Sequence, residues 1–130
     1  MEFRIAIVGS RDFENYDLLK QKVEELMPKK NYDFIIVSGG ARGTDTLAER
    51  FAEEKGYKKE IHYAKWHLHG PCAGYLRNHA VVNDADMVVA FWNGISKGTR
   101  HVINIAKRDC SRVHVIRLDR LKKEEEESGF

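Results

Sequence analysis

Phe34-Ile35-Ile36-Val37-Ser38-Gly39-Gly40-Ala41-Arg42-Gly43-Thr44-Asp45 is an apolar run that breaks into glycines and gives way to a charged, amphipathic segment. Its apolar start reads as a buried strand. Gly39, Gly40 and Gly43 let the chain turn sharply and let a ligand approach the backbone. Leu47, Ala48, Phe51 and Ala52 then recur at the spacing of one helix face, and Gly56 is placed to end that helix. A strand, a glycine turn and a helix start, in that order, bring unpaired N–H groups and the positive end of a helix dipole to the turn. Such a corner suits a phosphate or another anion.

The same pattern recurs on both sides. Phe3 to Val8 is a strand-like run, and Gly9-Ser10-Arg11-Asp12 is a second turn of the same kind. Leu18, Leu19, Val23, Leu26 and Met27 predict a helix that ends near Pro28. Asp33 to Val37 is the second strand, and Glu60 to Ala64 is a weaker third. A polar and aromatic loop follows from Lys65 to Pro71. A helix is expected from Ala73 or Gly74 to about Asn83, with Leu76 and Ala80 inward. Asp86 to Trp92 is the fourth strand, and Asn93 to Thr99 the next turn. Val102, Ile103 and Ala106 mark a last helix, and Val113 to Ile116 a last strand. Alternating strands and helices predict a single Rossmann-like α/β domain over residues 1–118, with a five-stranded, mostly parallel sheet and helices on both faces. Residues 119–130 are expected to be a charged, solvated tail.

Composition narrows the function classes. The chain has 130 residues, 42% hydrophobic and 32% charged, with a formal net charge of +2. That balance, with no basic stripe, speaks against nucleic acid as a partner. No apolar run approaches the ~20 residues of a membrane span, and Met1 leads directly into a strand-like run, so neither a membrane anchor nor a leader is expected. The two cysteines, Cys72 and Cys110, make no disulfide framework, which suits a cytoplasmic protein with reduced thiols.

In an open α/β sheet, ligands bind at the carboxyl ends of the strands. Four loops leave those ends here, and they supply the candidate ligand-binding residues. These are Gly9, Ser10 and Arg11; Ser38, Gly39, Gly40, Ala41, Gly43, Thr44 and Asp45; Trp66, Gly74, Arg77 and Asn78; and Trp92, Ser96, Gly98 and Thr99. The glycines offer bare N–H groups, and the arginines suit bidentate contact with phosphate. Trp66 and Trp92 could stack on a flat base, although a tryptophan at a strand end also reads as core. Asp45 and Asp12 could hold ribose hydroxyls or act as the catalytic carboxylate. Thr44, Asp45 and Thr99 also read as helix N-caps. His62, His67, His69, Cys72 and His79 match no zinc spacing, so no metal is expected. Cys72 sits near a helix start, but no base is assigned to activate it as a nucleophile. The turns match neither a P-loop nor the dinucleotide fingerprint, so no nicotinamide or other cofactor is expected.

These residues resemble a known family. Gly9-Ser10-Arg11, Ser38-Gly39-Gly40-Ala41-x-Gly43-Thr44-Asp45, Gly70-x-x-Ala73-Gly74-x-x-Arg77-Asn78 and Ala90-Phe91-Trp92-x-Gly94-x-Ser96-x-Gly98-Thr99 resemble the SLOG superfamily, most nearly its small stand-alone YspA-related members. The resemblance runs from about Phe3 to Ile116. It implies a Rossmann-like fold with a nucleotide-like ligand over the glycine turn, and NAD- or ADP-ribose-like ligands are within its range. Many SLOG proteins self-associate, so a homo-oligomer is within it as well. The superfamily includes the DNA-uptake protein DprA/Smf and the LOG enzymes, which release a base from a nucleoside monophosphate. The LOG pattern is Pro-Gly-Gly-x-Gly-Thr-x-x-Glu with a catalytic glutamate. Here Ser38 stands at the start, the turn is one residue longer, and Leu47 occupies the glutamate position. Glu49 is two positions further on and points elsewhere on the helix. The sequence therefore predicts a nucleotide-binding protein. The alternative is an N-glycosidic-bond-cleaving hydrolase acting on a nucleoside monophosphate through Asp45, with Asp12 behind it.

Overall fold

The computed structural model describes residues 1–110 and 112–121. In chain order the elements are β1 (Glu2–Gly9), α1 (Tyr16–Leu26), β2 (Asp33–Ser38), α2 (Thr44–Lys55), β3 (Lys58–Ile61), α3 (Trp66–His69), a 3-10 turn (Gly70–Cys72), α4 (Ala73–Asn83), β4 (Met87–Trp92), α5 (Lys97–Asp109) and β5 (Val113–Arg117). The five strands form one sheet in the order β3-β2-β1-β4-β5. Each neighbouring pair is parallel, so the sheet is wholly parallel where the sequence predicted mostly parallel.

Residue alternation on the central strands builds a core on each face. On β1, Phe3, Ile5 and Ile7 join α1 and α2 through Leu19, Val23, Ala48, Phe51 and Ala52. Ala6 and Val8 point the other way and meet α4 and α5 through Val81, Val82, Val102, Ile103 and Ala106. β4 divides in the same manner, with Met87, Val89 and Phe91 on the first face and Val88 and Ala90 on the second. Covering both faces explains why these strands read as unbroken apolar runs. The strand order reverses between β1 and β4, and their carboxyl ends frame the crevice where such sheets bind ligands.

Helix ends follow local chemistry. Asn15 accepts the Leu18 N–H at 3.1 Å and caps α1. Gly56 ends α2 in the left-handed conformation, as expected. Ser96 caps α5 by accepting the Thr99 N–H, so the cap is Ser96 and Thr99 lies inside the helix. Gly43 holds the cap position of α2 and provides no side-chain bond, so neither Thr44 nor Asp45 serves there.

Several expectations shift. β3 starts and ends earlier than Glu60 to Ala64, because its register against Ile35–Ser38 runs from Lys58 to Ile61. Its charged residues are tolerated because it is an edge strand. The expected loop at Lys65 to Pro71 folds into α3 and the start of the 3-10 turn. α4 buries Ala73, Asn78, Val81 and Val82, while Leu76 is 47% exposed. The helix is rotated because Asn78 turns inward to polar partners described below. Residues 118–121 form a helical turn, and the rest of the charged C-terminal segment, 122–130, lies outside the described residues. Among the described residues, no helix is long and apolar enough to cross a membrane.

Candidate functional site

Ser10 is the point where three turns meet. Its N–H donates to the Phe91 carbonyl at 2.9 Å, and its hydroxyl accepts the Asn93 N–H at 3.1 Å. Its carbonyl accepts the Thr44 hydroxyl at 2.9 Å and the Thr44 N–H at 3.3 Å. The turns after β1, β2 and β4 are thereby locked into one rim. Gly43 completes the lock. Its φ is +72°, and a β-carbon there would collide with the Arg11 carbonyl. Only glycine suits both conditions. Ser38 is fully buried and accepts the Gly40 N–H at 3.2 Å, which shapes the turn from beneath.

A cleft of about 80 Å³ opens above this rim. Gly9, Arg11, Gly39, Ala41, Asp45, Arg77, Asn78, Ser96, Gly98 and Thr99 line it, with Val8, Val81 and Val102 as its apolar part. The N-termini of α2 and α5 both reach it. Their dipoles favour an anion, and so do the guanidinium groups of Arg11 and Arg77. The volume has room for several water molecules, at ~10–15 Å³ each by this measure, and so for a group of phosphate size.

Arg77 crosses from α4 to the glycine turn. Its Nη1 donates to the Gly39 carbonyl at 2.8 Å, and its Nε donates to Asn78 Oδ1 at 3.0 Å. Asn78 Nδ2 then lies 3.1 Å from His101 Nδ1 on α5. Burial lowers the His101 pKa, and His79 and Arg108 push it the same way. Asp45 is 6% exposed. Its Oδ2 accepts the Ala41 N–H at 3.1 Å. Burial raises its pKa from 3.8 to about 6, against the opposing pull of the Ala41 N–H and Arg77. Glu49, one turn along α2, adds to the rise. Leu47, at the position of the LOG glutamate, packs against the core of α1 and α2.

Other sequence candidates lie elsewhere. Ser10, Ser38, Gly43 and Thr44 build the rim and do not line the cleft. Gly40 and Gly74 are covered by aromatic rings: a β-carbon would come within 2.7 Å of Tyr63 at Gly40, and 3.4 Å from Trp66 at Gly74. Trp66 is 53% exposed and outside the lining. Trp92 is also outside it, with its Nε1 donating to the Ser96 carbonyl at 3.0 Å and the Arg100 and Arg117 guanidinium groups 5.5 and 4.8 Å from its ring. Asp12 is exposed and accepts from Asn93 at 3.4 Å. Sequence reasoning missed His101 and Tyr63. His101 carries no local motif, and Tyr63 falls within the Glu60–Ala64 run that reads as strand.

The described residues hold one group with metal-ligand geometry: Glu60, His62 and Asp84, whose ligand atoms lie within 4.8 Å of one another. Arg4 already occupies this cluster. Its Nη2 is 2.7 Å from Glu60 Oε1 and its Nε is 3.5 Å from Asp84 Oδ1. A guanidinium in that position supplies the positive charge that a metal ion would bring.

A family model described as the YspA, cpYpsA-related SLOG family matches residues 3–69. The chain belongs to this family. The SLOG match takes in the turns after β1 and β2 and stops before α4, so it includes Asp45 and omits Arg77, Asn78 and His101. A relative, "Gene 61 protein" of Mycobacterium phage D29, is 36% identical over 111 residues, covering 81% of this chain and 89% of its own length. No solved structure matches the SLOG chain significantly.

Proposed function

We propose that the chain binds the phosphate of a nucleotide or nucleotide derivative in the cleft between the Gly39–Asp45 turn and the start of α5. The observation that carries this reading is convergence: Arg11, Arg77 and the N-termini of two helices face one small cleft at the switch in strand order. SLOG membership supports a nucleotide-related role. A thermal-shift panel of nucleoside monophosphates, ADP-ribose and NAD tests it. At least one member should raise the melting temperature in a concentration-dependent way. No shift with any of them contradicts the reading.

Asp45 favours a second reading, cleavage of an N-glycosidic bond. A buried carboxyl titrating at about 6 beside a phosphate-sized cleft has the properties of a group that stabilises a ribosyl cation or handles a proton. Chromatographic detection of free base from nucleoside monophosphates tests this. Base release that stops in Asp45→Asn supports it, and an inert wild type rejects it. Asp12 is exposed and is not among the residues that line the cleft, so Asp45 is the carboxylate this reading uses.

A further inference from the structure

A second hollow, of about 420 Å³, opens on the far side of Arg77. Arg77 lines both spaces, so one side chain forms the partition. The hollow is within the range of small-molecule sites, roughly 300–1,000 Å³. Ile61 and Tyr63 border it after β3, and Leu76 and Ala80 border it from α4. Lys65 and His69 add polar groups at its edge.

Tyr63 is 64% exposed and Leu76 is 47% exposed. Two large apolar side chains from separate elements, both left open around one hollow, mark a surface for a ligand. The Tyr63 ring lies against the glycine turn. Gly40 has φ +70°, and a β-carbon there would come within 2.7 Å of the ring. The glycine therefore serves the aromatic wall of the hollow.

We propose that this hollow receives the base of the nucleotide whose phosphate enters the cleft, with Tyr63 stacking on the base and Leu76 giving it a second apolar contact. This assignment rests on the phosphate reading of the cleft. Lys65 and His69, both exposed at the edge of the hollow, can donate to the ring nitrogens and exocyclic oxygens of a base. The partition by Arg77 sets the order of the parts: phosphate on one side, base on the other, and sugar between.

Isothermal titration separates the two claims. Ribose 5-phosphate probes the cleft alone, and AMP, GMP, CMP and UMP probe both spaces. At least one nucleotide should bind the wild type roughly tenfold more tightly than ribose 5-phosphate, the gain expected of a stacked base. Tyr63→Ala should remove most of that gain, read as the ratio of nucleotide to ribose 5-phosphate affinity in the same variant. Leu76→Ser, at an exposed position where folding is little affected, should reduce it too. Equal binding of ribose 5-phosphate and all four nucleotides overturns the proposal and spares the cleft. So does a gain that survives both substitutions. If no probe binds, the cleft reading fails and the hollow fails with it.

Discussion

Arg77 on α4 donates from Nη1 to the Gly39 carbonyl at 2.8 Å, so a side chain from one face of the sheet closes against the glycine turn that starts α2. Its Nε is engaged as well, by Asn78 Oδ1 at 3.0 Å. With that oxygen committed to Arg77, the Asn78 amide must donate to His101 Nδ1. His101 is then a neutral imidazole carrying its proton on Nε2, which fits its lowered pKa.

Arg77→Ala removes a cation and the contact that fixes it. A hydrogen bond to a charged group is worth ~1.5–3 kcal/mol, so phosphate-probe affinity should fall at least about tenfold. Arg77→Lys should restore only part of the loss, because an ammonium cannot reproduce the planar fork. Calorimetric titration of both variants checks the order.

Asp45→Asn should stabilise the fold at neutral pH. Burial raises the Asp45 pKa from 3.8 to about 6, so ionising it in the folded state is unfavourable. The stability associated with the protonated group is fully present below about pH 4 and is lost as pH rises through about 6. At pH 7 the cost is on the order of 3 kcal/mol. The asparagine can still accept the Ala41 N–H. Urea denaturation should show the variant more stable than wild type at pH 7, with the gap nearly gone at pH 4.

His101 contributes with the opposite sign. Its folded pKa is lowered, so its contribution is present above the unfolded value, ~6.5, and is lost as pH falls through the lower folded value. His79 faces it across a ring contact of 5.5 Å and Tyr75 across one of 4.6 Å, and Arg108 adds positive charge. His101→Phe leaves the buried Asn78 amide without an acceptor, which costs ~1–3 kcal/mol. Phosphate affinity should fall several-fold through Arg77. Denaturation midpoints across pH 5 to 8 should show a shallower acid decline in the variant than in wild type.

Trp92→Phe should leave nucleotide affinity unchanged, since the indole lies outside the cleft beside Arg100 and Arg117. It should lower stability by ~1 kcal/mol through loss of the bond to the Ser96 carbonyl. Titration and denaturation of the same variant read the two effects separately.

The strand–turn–helix units were legible because their signals are local: apolar runs in Phe3–Val8 and Met87–Phe91, and glycine turns after β1, β2 and β4. The helix face on α4 was not. Leu76 suggests an inward apolar residue, but Asn78 takes the inward place because Arg77 and His101, far apart in sequence, both bond to it. The edge strand β3 was misplaced because Lys58, Lys59 and Glu60 carry no apolar alternation. Of the candidate site, Gly39, Asp45, Arg77 and Thr99 could be named from loops at strand ends. The division of labour within the glycine turn could not, because Gly43 answers to the Arg11 backbone and Gly40 to the Tyr63 ring.

A crystal structure of the protein grown with millimolar AMP is the sharpest test of phosphate binding in the cleft. Phosphate density is expected in the cleft, in contact with Arg11 or Arg77 and with the Gly98 N–H at the start of α5. A nucleotide bound with its phosphate elsewhere, or an empty cleft when titration shows AMP bound, would contradict it.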